Sequence, residues 1–319
     1  MIRYLMRRLL QVILLFFAVA VLTFILIHLA PGDPIAFLAG ERSTAEFQAQ
    51  LRHDLGLDQP VQVQLERYLS RLARGDMGYS FSFHQPVLAL ILARVPATLL
   101  LVGASVVLSM VLGVWIGVQT AVHARSLGWN VVTVASLIGY SLPSFWLGQV
   151  LILLFAVSLN WFPIVGMTSL AGYIGARHWL DVAQHLVLPV TTLTAFNLAL
   201  IARLTRASML EVLEQDYMLA ARGKGLSSRI VIYRHGLRNA LLPIITVLGL
   251  HLGSMIAGVV LVETVFGWPG LGRLTHDAIM ARDYPVVSGM FLFVSESVIL
   301  ANLATDLIYG LIDPRIRYG

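Results

Sequence analysis

Three side chains that can bind metals stand close together before an apolar segment, namely His178, Asp181 and His185. Imidazole and carboxylate groups are common metal ligands, but these spacings match no recognised metal site. Histidines are also common at membrane interfaces, so we predict no metal site here. The chain has no cysteine, which excludes disulfides, thiolate nucleophiles, iron–sulfur clusters and cysteine zinc sites.

Two carboxylates lie within another apolar segment near the end of the chain. Glu296 is deep in this segment, whereas Asp306 lies near its end, four residues after Asn302. Carboxylates inside a membrane are costly and face the interior of a helix bundle or water. We predict that Asp306 forms a structural salt bridge with an arginine. Glu296 is the candidate for a translocation-path or gating group.

Catalytic motifs are absent from the sequence. There is no G-x-x-x-x-G-K-[ST] phosphate loop, and Gly223-Lys224-Gly225 lacks both its spacing and its hydroxyl. The H-E-x-x-H, G-x-S-x-G and paired-carboxylate motifs are missing as well. We therefore predict that the chain is not an enzyme and binds no cofactor of its own.

The elements that carry these residues are strongly apolar. Of the 319 residues, 58% are hydrophobic and 12% are charged, whereas about 25% of the residues of a soluble domain are charged. A bilayer core needs about 20 apolar residues in a helix. Five segments free of Asp, Glu, Lys and Arg meet this length, and a sixth is interrupted only by Glu296 and Asp306. The six predicted spans are residues 9–30, 96–121, 131–157, 183–203, 241–262 and 285–310, and they are helices because lipid cannot satisfy backbone polar groups.

The basic residues orient these six spans. The inner segments would hold thirteen of them, and the short outer loops only Arg177, Arg273 and Arg282. Because Lys and Arg collect in short cytoplasmic loops, we predict a multi-pass membrane protein with both termini in the cytoplasm. The net charge of +5 then follows from topology, and no nucleic-acid binding is expected. The long apolar run in residues 1–30 favours a retained span over a cleaved signal peptide.

Residues 31–95 form a long outer segment between the first two spans. Ser43 and Glu46 have the spacing of a capping box, and Gly56 can end the helix that follows. Asp58 can begin a second amphipathic helix. The sequence thus predicts a mostly helical extracytoplasmic insertion. It is either a cap packed on the outer mouth or a docking surface for an outside partner, and the two are compatible.

Residues 204–240 form the most informative inner segment. It is rich in basic residues, among them Lys224, the only lysine of the chain. Small residues cluster from Ala220 to Gly225, where another backbone could approach closely, and Leu226 follows at the turn. A helix–turn–helix of this kind offers a short exposed knob. The alternative, which composition alone favours, is a solvated basic segment that only anchors the chain.

Two further features bear on how the spans pack and move. Gly113 and Gly117 form a small-xxx-small pair, which predicts close helix packing. Pro143 lies inside the third predicted span, where proline removes a helix hydrogen bond and kinks the helix. Ser141 and Ser144 could satisfy the freed groups. The kink is either a hinge for alternating access or a static packing kink.

Six stretches in register resemble the permeases of binding-protein-dependent ABC importers, and more narrowly their oligopeptide/dipeptide/nickel branch. The central stretch is the inner segment, with DY at 216–217, ARGKGLS at 221–227 and HGLRNALLP at 235–243. The others are PGDP at 31–34, GYSLPSFW at 139–146, ETVFGWPGLGR at 263–273, RDYP at 282–285, and Asn302, Asp306 and Tyr309 with DPRIRY at 313–318. The resemblance covers nearly the whole chain in order.

The resemblance implies an all-helical type I ABC importer transmembrane domain in the bacterial cytoplasmic (inner) membrane. In this family the inner segment is a coupling helix that seats in a groove of a separate ATPase subunit, which uses ATP and Mg. A second homologous permease, expected to be a different chain, and an extracytoplasmic substrate-binding protein complete the system. By match to the motif, the coupling residues are Ala220, Ala221, Lys224, Gly225, Leu226 and Ser227. The wider importer class has a Glu where this chain has Leu219, so no acidic anchor is expected there.

These expectations divide the chain into four parts. Residues 1–30 are the first span with a cytoplasmic N-terminus, residues 31–95 the outer insertion, residues 96–310 the permease core with five spans, and residues 311–319 a cytoplasmic tail. The expected function is a permease subunit, embedded in membrane lipid, that forms the translocation pathway of an ATP-driven importer. Peptide, glutathione, nickel-chelate and opine importers would share these motifs, so the cargo stays open. The alternative is an ATP-independent secondary transporter or channel, for which only Glu296 lies deep enough to couple an ion.

Overall fold

The structure is a computed structural model and describes residues 2–29, 44–54, 56, 58–241, 243–244 and 259–312. The chain divides into two compact units, Met1–Pro96 with Gly270–Gly319, and Ala97–Pro269. In chain order the elements are α1 (Ile2–Leu29), α2 (Ala45–Asp54), α3 (Val61–Ala73), β1 (Tyr79–Ser80), β2 (Gln85–Pro86), α4 (Val87–Val122), α5 (Leu127–Ser141), α6 (Ser144–Leu151, continued by the π-helix Ile152–Ser158), α7 (Ala176–Leu213), α8 (Asp216–Gly223), α9 (Ser228–Ile230, continued by the π-helix Val231–Leu237), α10 (Leu271–Met280) and α11 (Tyr284–Ile312).

The first unit is organised by α11, which packs against α1 and α10. One small core buries Ala20, Leu72 and Leu292 together. A larger one joins the start of α4 to α10 and α11, and its buried members include Val87 and Met290. Burial of these apolar side chains stabilises the unit because each removes apolar area from contact with water or lipid head groups.

The outer insertion contains the two predicted helices and a small hairpin that the sequence did not predict. The predicted cap residue Ser43 lies outside the described residues, and Thr44 Oγ1 accepts a hydrogen bond of 3.3 Å from the Phe47 amide at the start of α2. Gly56, with φ of +68°, follows α2 as expected. Strands β1 and β2 pair antiparallel with Tyr79 opposite Pro86, and two-residue strands are too short to show an alternating pattern.

The second unit is organised by α7, which packs against α5 and α6. Its main core surrounds the fully buried Trp268 and includes Leu101, Leu193 and Phe266. Helix α4 approaches α7 closely at the predicted pair of glycines. A Cβ atom at Gly117 would lie 2.4 Å from Thr205 Cβ, and one at Gly113 would lie 2.7 Å from Ile201 Cγ2. The predicted small-residue packing of Gly113 and Gly117 is therefore confirmed.

Two spans are longer than predicted and one is broken. Helix α4 begins at Val87 rather than at 96, and α7 covers Ala176–Leu213 rather than 183–203. Charged residues such as Arg94 and Arg206 do not end these helices, because long basic side chains can extend from a helix into polar surroundings. The predicted span 131–157 is two helices, Leu127–Ser141 and Ser144–Ser158, bent by 105°.

Within the described part of the chain, three helices are long and apolar enough to cross a membrane: Val87–Val122, Ala176–Leu213 and Tyr284–Leu303. The bent pair adds a fourth if its halves count as one span. Helix α1 contains a shorter apolar stretch, Leu10–Leu26. The predicted fifth span, 241–262, lies largely outside the described residues. Residues 259–265, which the structure describes, are helical.

Candidate functional site: the inner segment and the buried polar groups of the spans

Residues 204–240 contain the end of α7, a short helix, a turn and a second helical stretch. Helix α7 continues to Leu213, and α8 then covers Asp216–Gly223. The backbone turns at Lys224 and Gly225, where the Gly225 amide donates a hydrogen bond of 2.9 Å to the Arg222 carbonyl oxygen. Ser227 has extended backbone angles and directly precedes α9.

Glycine is needed at this turn because the backbone of Gly225 has φ of +74°. Residues with a Cβ atom rarely adopt that conformation. No atom lies within 4 Å of the position that a Cβ would take. The turn therefore constrains the backbone conformation at Gly225 while leaving open space beside it.

A narrow buried stripe holds α8 against the rest of the second unit. Met218, Ala221 and Val231 form a buried cluster on which Val212 and Leu213 pack. Gly236 permits this contact, since a Cβ there would lie 3.3 Å from Met218 Cε. On the other side of the segment Asn239 Nδ2 donates a hydrogen bond of 3.0 Å to the Tyr217 hydroxyl oxygen.

The remaining sides of α8 and its turn are exposed. Leu219 is 59% exposed and Leu226 is 38% exposed, although both are large and apolar. Ala220, Lys224, Gly225 and Ser227 are exposed as well. Other exposed side chains of the segment include apolar or aromatic ones (Tyr217, Ile230 and Tyr233), basic ones (Arg222, Arg229 and Arg234) and acidic ones (Glu211, Glu214 and Asp216).

The structure thus separates the six residues assigned by resemblance. Five of them are exposed, whereas Ala221 is only 7% exposed and packs inside the chain. Leu219, which the sequence analysis treated only as a departure from the family motif, is the most exposed large apolar side chain of α8. Its position relative to the buried stripe could have been found from the helical periodicity of Met218 and Ala221.

Pro143 lies at a complete break between two helices. Helix α5 ends at Ser141, and Pro143 precedes α6 with extended backbone angles. Ser141 Oγ donates a hydrogen bond of 2.9 Å to the Leu137 carbonyl oxygen, so one of the two serines bonds to the backbone near the break. Tyr140, one turn before Pro143, stacks on Phe196 of α7 with ring centroids 5.1 Å apart.

Glu296 lies in the first unit, in the middle part of α11. Its side chain is half-buried, and Oε2 is a buried atom that makes no hydrogen bond within the described residues. Asn302 is exposed on the same helix. The predicted salt bridge of Asp306 lies outside the described side chains.

A second buried carboxylate, Glu263, was missed by the sequence analysis. It is fully buried in the second unit, and Thr98 Oγ1 donates a hydrogen bond of 2.6 Å to its Oε1. The Glu263 carbonyl oxygen accepts a hydrogen bond of 2.8 Å from the Trp268 amide, and Trp268 Nε1 donates one of 2.8 Å to the Ala97 carbonyl oxygen. The predicted span ended at 262, so Glu263 was taken as a residue beyond the membrane; the rule applied to Glu296 would have singled it out.

Of the three residues with metal-binding side chains, Asp181 and His185 contact each other, and His178 lies apart from this pair in the contacts it makes. His185 Nδ1 lies 2.8 Å from the Asp181 carbonyl oxygen, and both residues are buried. The Ser169 amide donates a hydrogen bond of 2.7 Å to Asp181 Oδ2, which ties the preceding loop to α7. The ring of His178 packs edge-on against Trp179. Nowhere in the described ranges do three or more His, Cys, Asp or Glu residues come together in a group that could hold a metal ion.

Comparison with known families gives two matches that together cover nearly the whole chain. The family described as binding-protein-dependent transport system inner membrane component matches residues 109–318. Its companion, the N-terminal part of a binding-protein-dependent transport system membrane component, matches residues 1–102. The first match contains the inner segment, Pro143, Glu263 and Glu296.

Several characterised proteins are similar over their full length. The di/tripeptide transport system permease protein DppB of Pseudomonas aeruginosa is 43% identical, over 100% of this chain and 99% of that protein. The dipeptide transport system permease protein DppB of Escherichia coli K12 is 42% identical over the same shares. The glutathione transport system permease protein GsiC of Salmonella paratyphi A is 41% identical, over 100% of both chains.

A solved structure shares the fold. A chain of the MetNI methionine ABC transporter, in an inward-facing conformation, superposes with a TM-score of 0.58 over 71% of this chain and 97% of that chain. The two sequences are 18% identical, so this likeness concerns the fold alone.

Proposed function

The chain belongs to the binding-protein-dependent transport system inner membrane components, and on that premise we propose that it forms the translocation pathway of an ATP-driven importer for small peptides or a related solute. It is not itself an enzyme, because members of this family are the membrane components of transport systems in which a separate subunit hydrolyses ATP. ATP and Mg are thus used by the partner.

The exposed apolar knob in a basic segment carries this proposal. Leu219 and Leu226 present apolar surface from a segment in which Arg222, Lys224 and Arg229 are also exposed. Exposed apolar residues that form a continuous patch are typical of protein contact sites, and Leu219 and Leu226 lie close in sequence in a segment outside the predicted spans. A groove of an ATPase subunit with an apolar floor and an acidic rim would complement both features.

We assign the contact to Ala220, Lys224, Gly225, Leu226 and Ser227, and extend it to Leu219. Ala221 contributes in a different way, because its burial with Met218 and Val231 fixes α8 on the chain. Movement of the ATPase would then be transmitted through this buried stripe to α7, the helix that directly precedes α8 in the chain. A helix held only by flexible contacts would lose the motion instead.

The membrane topology we propose has six spans with both termini in the cytoplasm. The excess of basic residues in the inner segments supports it. Helix α1 supplies the first span and the region that ends at residue 265 the fifth, in addition to α4, the bent pair, α7 and α11. Large apolar side chains such as Leu99, Val107 and Val111 are exposed on α4, which suits contact with lipid or with a second, homologous permease chain.

The cargo class follows from the relatives. Their names specify dipeptides, tripeptides and glutathione, which are all short peptides or a close relative of them. An extracytoplasmic binding protein would deliver the cargo to the outer face. Pro143 and Glu296 are our candidates for the pathway or its gate. Pro143 breaks a span, and Oε2 of Glu296 is a buried carboxylate oxygen inside a span that bonds to none of the described residues.

Isolation of the intact assembly tests this function. The chain is tagged, extracted gently from its own membranes, and its stoichiometric partners are identified by mass spectrometry. We expect a phosphate-loop ATPase and a second six-span permease, and ATP-dependent uptake of a labelled dipeptide when the complex is reconstituted with its binding protein. Recovery of the chain alone, under conditions that preserve known ABC complexes, would contradict the proposal and favour an ATP-independent transporter.

A further inference from the structure

A small cavity in the first unit is lined by two arginines. Its volume is about 160 Å³, and its walls are Phe83, Arg94, Arg273, Leu274 and Asp277. Arg94 lies in the first turns of α4, and Arg273, Leu274 and Asp277 lie in α10. The space corresponds to roughly five water molecules at about 30 Å³ each. It can hold a small polar group with its adjoining atoms, but not a whole peptide.

The two arginines of this cavity differ in their pairing. Asp277 Oδ2 lies 3.7 Å from Arg273 Nε and forms an ion pair with it, one helical turn away. Asp277 Oδ1 also lies 3.4 Å from His276 Nδ1. Arg94 makes no hydrogen bond or ion pair with any residue that the structure describes. Arg94 therefore supplies a guanidinium group that no described carboxylate neutralises.

Part of the cavity wall is held in place by Asp283, the residue before α11. The buried carboxylate of Asp283 accepts hydrogen bonds from Ser80 Oγ at 2.6 Å and from the Ser82 amide at 3.0 Å. Ser80 Oγ in turn accepts a hydrogen bond of 3.0 Å from the Phe83 amide. Leu274 is buried in the core that α4, α10 and α11 share. These contacts hold the backbone at Phe83 and the side chain of Leu274, which both line the cavity.

We propose that this cavity binds a carboxylate, namely the C-terminal carboxylate of the peptide cargo. A guanidinium group matches a carboxylate with two parallel hydrogen bonds, and the described residues leave the hydrogen-bonding capacity of Arg94 unused. The volume admits one end of a peptide, so the contact is indifferent to side chains and to length. The identification of the occupant as peptide cargo rests on the proposed function, whereas the presence of a carboxylate site does not.

The absence of cysteine from the chain gives a direct test in the assembled complex. Phe83→Cys places one thiol at the cavity. Ala171→Cys, the control, places one at an exposed position of the loop before α7, with no charged residue within five positions in sequence. Each is labelled with an anionic sulfonate thiosulfonate reagent and with its cationic trimethylammonium counterpart, and the mass of this subunit reports the rate. Because a positive cleft concentrates anions by about tenfold or more, we expect the anionic reagent to be favoured by that factor at Phe83→Cys and not at Ala171→Cys.

Second-site variants identify the charge responsible. Arg94→Gln should abolish the preference, Arg94→Lys should keep most of it, and Arg74→Gln, at an exposed position outside the cavity, should leave it unchanged. The same preference in the presence and absence of Arg94 would overturn the inference. An equal loss in Arg94→Lys and Arg94→Gln would overturn it too, since that pattern indicates disturbed folding rather than lost charge.

Protection by ligands identifies the occupant. Alanylalanine and acetate should slow the labelling of Phe83→Cys, whereas alanylalanine amide should not. Protection by inorganic phosphate but not by acetate, or by anionic phospholipid vesicles alone, would overturn the assignment to a carboxylate. Labelling needs no ATP, so protection by acetate alone in a complex that imports no peptide would refute the cargo and leave the carboxylate site, while full peptide import without any protection would refute the site.

Discussion

Thr98 Oγ1 donates a hydrogen bond of 2.6 Å to Oε1 of Glu263, a carboxylate that is fully buried in the second unit. The two residues are far apart in sequence, on α4 and at the end of the region preceding Trp268. The indole of Trp268 bonds to the carbonyl oxygen of Ala97, the residue beside Thr98. These two hydrogen bonds fasten the GWPG turn to α4, so the turn and the helix are expected to move together during transport.

Removal of the Thr98 hydroxyl should destabilise the permease. Thr98→Val keeps the shape of the side chain but takes a donor from a buried carboxylate, which we expect to cost about 1–3 kcal/mol. Thr98→Ser keeps the donor and is the matched control. Thermal unfolding of the purified complex measures the difference, and a Thr98→Val protein as stable as wild type would show that Glu263 does not depend on this bond.

A larger side chain where α4 and α7 approach most closely should also destabilise the fold. Gly117→Ala would place a Cβ 2.4 Å from Thr205 Cβ and 2.7 Å from the Ala202 carbonyl oxygen, and such overpacking costs about 1–3 kcal/mol. Gly103→Ala, on the same helix, meets no atom within 4 Å, and should be neutral or slightly stabilising because alanine favours helix. The yields and unfolding temperatures of the two variants test this, and equal behaviour would refute the close approach.

A charge on the apolar knob should weaken attachment of the ATPase. Leu226→Glu is expected to cost about 2 kcal/mol or more of binding free energy, as for a central interface residue, without affecting membrane insertion. Gly225→Glu should act in the same direction, but its positive φ adds backbone strain. Leu226→Met and Gly225→Asn, which respect apolarity and backbone conformation, are the controls. Co-purification of the ATPase is measured; undiminished recovery with Leu226→Glu would remove Leu226 from the proposed contact.

Replacement of Glu296 should separate stability from transport. Because its buried Oε2 is unsatisfied within the described residues, Glu296→Leu removes a desolvated polar atom, and we expect the complex to become more stable by about 1–3 kcal/mol. Dipeptide uptake should fall at the same time, because a stabilising change at a functional site commonly lowers activity. Glu66→Leu, at an exposed position of α3, should change neither. Unchanged uptake with Glu296→Leu would assign Glu296 a purely structural role.

The sequence alone determined the membrane-spanning character, the inner segment and the family resemblance. Long charge-free runs force helices, because lipid offers no hydrogen bonds to the backbone. The turn at Gly225 and the helices of the outer insertion also follow from local rules, since capping and positive φ depend on near neighbours. The same rules placed Gly113 and Gly117 at a helix contact, because only small residues let two backbones approach.

Only the tertiary structure decided which of these residues are available and which are buried. Ala220 and Ala221 are neighbouring residues of the same type. Ala221 is nevertheless buried with Met218 and Val231, whereas Ala220 is exposed. The bond between Thr98 and Glu263, and the arginine pair of Arg94 and Arg273 in one cavity, join segments that are distant in the chain. Periodicity and charge patterns describe each helix by itself, whereas burial and charge balance depend on the partner helix that packing brings alongside.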